Sequence, residues 1–266
     1  MIWAAVPGIL FFFLFLIAPR LFRRDMRAFL GRPYAHRGLW DPTHPENSLS
    51  AFQQAVKAGF GIELDVQATK DGVLIVFHDE TLKRVFGRPE ALRDLTYPQL
   101  QSLCFPDSQE SIPRFQDVLS SVDGQVPMII EIKTGKRIFS LCRDVADMLS
   151  AYTGPYLIES FDPRVLLWYR LHHPSVLRGQ LSYGLCRGTP YRRCLSNRLF
   201  TSLIGNVLAR PDFLAYDIRT ERSLPLRLQR LFRPWLVAWT VTDPSQLADT
   251  RIPWNMYIFE GYRPPN

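Results

Sequence analysis

The chain has 266 residues, 47% of them hydrophobic and 21% charged, with a formal net charge of +7. That composition excludes a disordered chain and suits one large domain, or two small ones, around a substantial core. Cys104, Cys142, Cys186 and Cys194 show no CxxC pairing and no metal-ligand spacing, which points to free thiols in a reducing compartment and away from a disulfide scaffold.

Ile2–Ala18 carries no charge and centres on FFFLFLI, and Arg20, Arg23, Arg24 and Arg27 follow it. The run is at the short end of what spans the roughly 30 Å hydrocarbon layer. A cleaved signal peptide would want a basic residue before the run and an A-x-A site after it, and neither is present. The arginines argue against a buried core helix. The expectation is an uncleaved single-pass transmembrane anchor over residues 1–19, then a basic juxtamembrane linker over 20–32. Positive flanks stay in the cytoplasm, so the rest of the chain is expected there.

Beyond residue 33, apolar or β-branched runs recur at 33–36, 61–66, 128–133, 156–160, 177–181, 213–217, 236–241 and 256–260. Helical periodicity separates most of them, as at 47–58, 115–122, 143–151 and 163–172. Asp162 and Pro163 read as an N-cap and a first-turn proline. The alternation predicts an α/β fold, a (β/α)8 TIM barrel over 33–266, with a doubly wound sheet as the main alternative. The apolar run 73–77 follows the second strand too closely for a parallel crossover. Asp71-Gly72 is a turn signal, so the run is predicted to fold back as a hairpin, bringing His78 to the barrel mouth, with 80–112 as an insertion.

Strand alternation turns Ile62, Leu64 and Val66 outward and Glu63 and Asp65 into the lumen. In PMIIEIK it turns Glu131 and Lys133 inward in the same way. These residues lie near the C-terminal ends of their strands, where barrel enzymes carry their sites. Salt bridges to Lys133 and an arginine are the plainer explanation of the three acids. Three carboxylates against one lysine leave excess negative charge, however, so Glu63, Asp65 and Glu131 are expected to ligate one hard divalent ion, Ca²⁺ or Mg²⁺. The first strand ends AHRG, and HPENSLSAF begins a helix, with Glu46 and Asn47 near its start. Of five histidines, His36 and His78 stand at strand ends facing the proposed metal, whereas His44 reads as a loop residue and His172-His173 as surface. Two histidines, a metal and two cationic side chains suit phosphodiester cleavage: one imidazole as base, the other as acid to the leaving alkoxide.

The motifs AHRG, PENS, IELDVQATKDG, VFHD, EIK, SFDP and WTV, in that order from about Tyr34 to Val241, resemble those of the glycerophosphodiester phosphodiesterases. The resemblance implies a barrel of the phosphatidylinositol phospholipase C-like type. It implies His36 and His78 as the acid–base pair and Glu63, Asp65 and Glu131 as metal ligands. Arg37 and Lys133 would bind the phosphate, Glu46 would sit beside the metal or a glycerol hydroxyl, and Trp239 would wall the substrate pocket or simply pack the lumen. Two departures bear on substrate preference: the last strand reads MYIFEGYRP, with Glu260 where the family has a threonine–aspartate pair, and Thr242 follows the tryptophan motif.

The segment 187–233 holds ten arginines against three acids. With no nucleic-acid motif beside an apolar anchor, anionic lipid is its expected partner, with a plain solvated surface as the alternative. Three functions follow: a metal-dependent glycerophosphodiester phosphodiesterase, a phospholipase or lysophospholipase D-type enzyme on membrane lipids, or a non-catalytic membrane-bound binding protein. The two histidines at the metal weigh against the last. The oligomeric state is left open.

Overall fold

The computed structural model describes residues 2–184 and 203–265. Eight parallel strands close into a barrel: β1 (Tyr34–His36), β2 (Gly61–Ala68), β4 (Met128–Ile132), β5 (Tyr156–Ser160), β6 (Arg178–Ser182), β7 (Phe213–Asp217), β8 (Trp235–Val241) and β9 (Met256–Phe259). Closure is made by β1, which pairs in parallel with both β2 and β9. The short β3 (Leu74–Val76) runs antiparallel to the end of β2, with Val66 opposite Val76, so the predicted hairpin is present. Its turn is set by Gly72, whose φ of +84° suits a residue without a Cβ.

Helices cover the outside. The helix Leu49–Lys57 is capped by the Ser48 hydroxyl, which accepts from the Ala51 N–H, and Pro163–His172 is capped by Asp162. The helix expected from about residue 143 begins five residues earlier, at Ile138, because Ile138, Leu141 and Cys142 extend its buried face. Ile62, Leu64, Val66, Ile130 and Ile132 pack outward against these helices. The insertion builds a separate core from Ile75, Phe77, Leu82, Leu92, Leu100, Phe105 and Ile112.

The lumen is layered. Its lower part is apolar: Tyr34, Ile129, Leu157, Leu181, Phe213, Val237, Met256 and Ile258 fill it. Bulky rings fit because glycine stands opposite them. A Cβ on Gly179 would come within 2.0 Å of the Phe213 ring, and one on Gly61 within 2.5 Å of Tyr34. On β1, β2, β4 and β5 the next inward positions toward the strand C-termini are ionisable, His36, Glu63, Glu131 and Glu159, and there the site lies.

The N-terminal segment departs from expectation. Its helix spans Ile2–Ile17, 16 residues, which at 1.5 Å per residue is ~24 Å, short of the hydrocarbon layer. Pro19 ends it, since the residue before a proline avoids helical geometry. Among the described residues no helix is long and apolar enough to cross a membrane, so the span expected over 1–19 is not met by this helix. Residues 20–32, expected as a linker, lie across the bottom of the barrel. Met26 and Phe29 are buried in the lumen's lower layer, and the Tyr34 hydroxyl donates to the Phe29 carbonyl at 2.9 Å. Arg20 and Arg24 pair with the buried Asp212 at 3.3 and 3.7 Å, and Arg24 also donates to the carbonyls of Pro174 and Val176. From the other side, Arg210 donates to the carbonyls of Phe15 and Ala18. The arginines of 187–233 that precede residue 203, with Cys186 and Cys194, lie outside the described residues; Cys104 and Cys142 are free thiols.

Candidate active site at the barrel mouth

Glu63, Asp65 and Glu131 converge because β2 and β4 are paired in parallel with Asp65 opposite Glu131. Each offers a carboxylate oxygen within 4.8 Å of the others, and all three are buried. Lys133 bridges two of them, at 2.7 Å from Asp65 and 2.8 Å from Glu131. Arg37 contributes its backbone N–H to Glu63 at 3.0 Å, while its guanidinium lies 3.5 Å from Asp65 and donates to Glu46 at 2.9 Å. Arg37 and Asn47 both sit in the left-handed region, at φ +58° and +57°, where the loop after β1 turns inward. Such strain is tolerated where tertiary contacts hold it.

The two imidazoles share one arrangement. His36 Nδ1 is bonded to Glu260 Oε2, and His78 Nδ1 is 2.6 Å from Asp79 Oδ1. A carboxylate on Nδ1 keeps the proton there and leaves Nε2 free for chemistry. His36 Nε2 lies 3.9 Å from Glu63, so that nitrogen faces the acids. Arg84, from the insertion, ties Asp79 to Glu46 at 2.7 and 2.5 Å. Trp239 is half-buried in the lumen, its ring 5.6 Å from Phe161 in an edge-to-face contact.

The charge is unbalanced. Burial pushes Glu63 well above the usual carboxylate range, and the neighbouring Asp65, Glu159 and Glu131 add to it. Burial, only partly offset by Lys133, raises Glu131 to about 7. Burial opposes ionisation of Asp65 too, but Lys133, His78 and Arg37 hold it below its ordinary value. Burial lowers His78, with Asp65 pulling the other way. The bond from His36 holds Glu260 low. Crowded buried acids that raise one another mark a place shaped for a cation. The residues fit a hard divalent ion: the donors are all oxygen, and the buried Asn47 Oδ1 and Glu159 Oε2 have no hydrogen-bond partner.

All nine residues selected from sequence thus lie at this end of the barrel. Four participants were not selected. Glu159, opposite Glu131 on β5, was available from the same alternation that revealed Glu131. Asn47, whose amide donates to Asp65 at 2.9 Å, was noted only as a helix-start residue. Glu260 was noted as a departure without its partner, and nothing in local sequence marks Arg84.

A parallel barrel with acids, histidines and cations gathered at the C-terminal strand ends is an enzyme architecture of the TIM-barrel class. Residues 36–249 match the glycerophosphoryl diester phosphodiesterase family, and the chain belongs to it. It is 37% identical over 113 residues to a glycerophosphodiester phosphodiesterase of Bacillus altitudinis, covering 40% of this chain and 46% of that protein. It is 32% identical over 159 residues to the human lysophospholipase D GDPD1, covering 54% of this chain and 49% of that one. The chain thus spans about half the length of these curated relatives. Among solved structures, an Oleispira antarctica phosphodiesterase in complex with the product sn-glycerol-3-phosphate superposes with a TM-score of 0.71 at 19% identity, over 88% of this chain and 94% of that one. A glycerophosphodiester phosphodiesterase of Thermotoga maritima gives 0.63 at 25% identity, over 86% and 94%. The first likeness supports the fold alone.

Proposed function

We propose that the protein hydrolyses glycerophosphodiesters to sn-glycerol 3-phosphate and an alcohol. The observation that carries this is the buried trio Glu63, Asp65 and Glu131 bordered by two imidazoles, each with its Nδ1 held by a carboxylate. Glu63, Asp65 and Glu131 would hold one divalent ion, Ca²⁺ or Mg²⁺, which supplies positive charge against the phosphoryl oxygens. Arg37 and Lys133 orient the diester by its phosphate, and Glu46 and Trp239 bound its glycerol arm. One imidazole Nε2 takes the proton of the attacking oxygen, and the other gives a proton to the leaving alkoxide. The P–O bond to the alcohol breaks as the new P–O bond forms, so one water is consumed and protons balance. The test is hydrolysis of sn-glycero-3-phosphocholine with and without a chelator. Activity that persists without divalent ions sinks the metal assignment, and none with any ion sinks the reaction.

Membrane attachment through the N-terminal segment, with the barrel on the cytoplasmic side, belongs to the same proposal. Phe11, Phe12, Phe13 and Phe15 are exposed, and a contiguous apolar surface of that kind calls for a cover. Because the segment is tied to the barrel bottom, the catalytic mouth is at the other end, which favours soluble diesters over intact bilayer lipids. The likeness to the human lysophospholipase D keeps a lysolipid substrate as the second reading. Hydrolysis of lysophosphatidylcholine faster than of glycerophosphocholine would favour that one.

A further inference from the structure

A cavity of about 560 Å³ opens beside Lys133, between the β2–β3 hairpin, the insertion and the loop that follows β4. Lys133 is shared: its ammonium bonds Asp65 and Glu131, and the residue also lines the cavity. Lys70, Arg93, Lys136 and Arg137 also line it. Among the described residues none of these four has an ion pair with a carboxylate, although elsewhere the exposed Arg27, Arg88 and Arg114 each bond a nearby acid. Arg164 adds a sixth cation, already committed to Asp162 at 2.6 Å. Only Glu80 and Asp144 among the lining residues are acidic. Like charges gathered in one concave wall repel unless an anion lies between them, and the low-dielectric walls concentrate their field there.

A second cavity of about 410 Å³ lies on the Glu260 side of the site. Its walls include Trp40, Pro42 and Tyr262, with Asp41 and Arg263 of opposite sign. A phosphodiester has two arms, and the two cavities differ in charge. The cationic one is larger than a glycerol needs and lies within the size range of small-molecule pockets.

Building on the reaction proposed above, we infer that the preferred substrates are glycerophosphodiesters whose alcohol carries a further phosphate, held by Lys70, Arg93, Lys136 and Arg137. The second phosphate would accept charge-assisted hydrogen bonds from a set of donors that otherwise faces only solvent. The diester phosphate stays over Lys133, so the cavity selects among substrates and leaves the reacting atoms to the barrel mouth.

The experiment uses the full chain and two diesters, sn-glycero-3-phosphocholine and glycerophosphoinositol 4-phosphate, with inositol 4-phosphate as a binding probe. In the unaltered protein, kcat/KM should favour the phosphorylated substrate by about tenfold or more, and the double substitution Arg93→Gln/Lys136→Gln should lower that ratio by about tenfold. A ratio below one, or a ratio the substitutions leave in place while both diesters are turned over, overturns the inference and spares the reaction. If neither diester is hydrolysed but inositol 4-phosphate binds and the double substitution abolishes that binding, the proposed reaction fails and the cavity's assignment stands. Neither hydrolysis nor binding overturns both.

Discussion

The two ends of this barrel bury opposite charge problems. At the bottom, Asp212 is buried against Arg178, with Arg20 and Arg24 approaching from the N-terminal segment. The surplus there is positive, and backbone carbonyls absorb it: Arg178 donates to Ala209 and Arg210, and Arg24 to Pro174 and Val176. At the mouth the surplus is negative, with Glu63, Asp65, Glu131 and Glu159 buried around Lys133 and Arg37. A surplus of N–H donors can turn to the peptide carbonyls at strand and helix ends, and here only Arg178 Nη1, 3.8 Å from Asp212, is left without a hydrogen bond. A surplus of carboxylate oxygens needs donors or a cation, and the closed backbone of a barrel has few N–H groups to spare. The bottom therefore neutralises most of its charge within the fold and serves stability, whereas the mouth suits the cation proposed above.

The comparison breaks first at the acids. Glu63→Gln, Asp65→Asn and Glu131→Gln should each lower kcat/KM on glycerophosphocholine on the order of 10⁴-fold, since the charge they gather is worth several kcal/mol to the reacting phosphate. The melting temperature should hold or rise for Glu63→Gln and Glu131→Gln, whose burial disfavours the charged form, and should fall for Asp65→Asn, which takes a carboxylate from the buried Lys133. A loss of activity accompanied by global unfolding would show that the mouth, too, is structural. His36→Ala and His78→Ala should each cost about 10²–10⁴-fold in kcat, the range for one proton-transfer group. His172→Ala, with its ring stacked on Trp168 far from the mouth, should match the parent in the same assay.

At the other end the sign of the result should invert. Asp212→Ala leaves the buried Arg178 without its carboxylate and should destabilise the fold by about 3–5 kcal/mol, measured by urea unfolding. The fraction that remains folded at low temperature should keep its kcat. A drop in kcat without loss of stability would couple the two ends and end the division drawn here. Among substitutions at the mouth the smallest effect is expected at Glu260→Gln, which keeps the shape and loses the charge on His36 Nδ1. About a 10–100-fold fall in kcat, as for other groups that orient a functional side chain, should be accompanied by a shift in the pH–rate profile. The bond from His36 holds Glu260 low, so its carboxylate is ionised from mildly acidic pH upward and the contribution disappears only in acid. A flat, parent-like profile in Glu260→Gln would remove Glu260 from the mechanism.

What was legible in advance was whatever repeats over a few residues. Alternation along GIELDV and MIIEI placed Glu63, Asp65 and Glu131 inward, and β2 and β4 do turn Ile62, Leu64, Ile130 and Ile132 to the helices. Turn chemistry at Asp71-Gly72 located the hairpin, and Asp162-Pro163 located a helix start. For residues 20–32, hydropathy describes a solvent preference and says nothing of where Met26 and Phe29 pack. A run of arginines after an apolar stretch reads as a membrane flank, yet Arg20 and Arg24 found Asp212 and loop carbonyls.

By itself, then, the sequence determined the strand and helix order, the inward faces of β2 and β4 and the family to which those motifs belong. These depend on short-range periodicity and backbone preference, which act within a few residues. Only the tertiary structure decided that β1 closes between β2 and β9, bringing Glu260 onto His36 across 224 positions of chain. It also decided that the first helix ends on the barrel bottom, and that four cations from three separate segments share one wall beside Lys133. Such juxtapositions follow from closure and from the search of each buried charge for a partner, and those are properties of the whole fold.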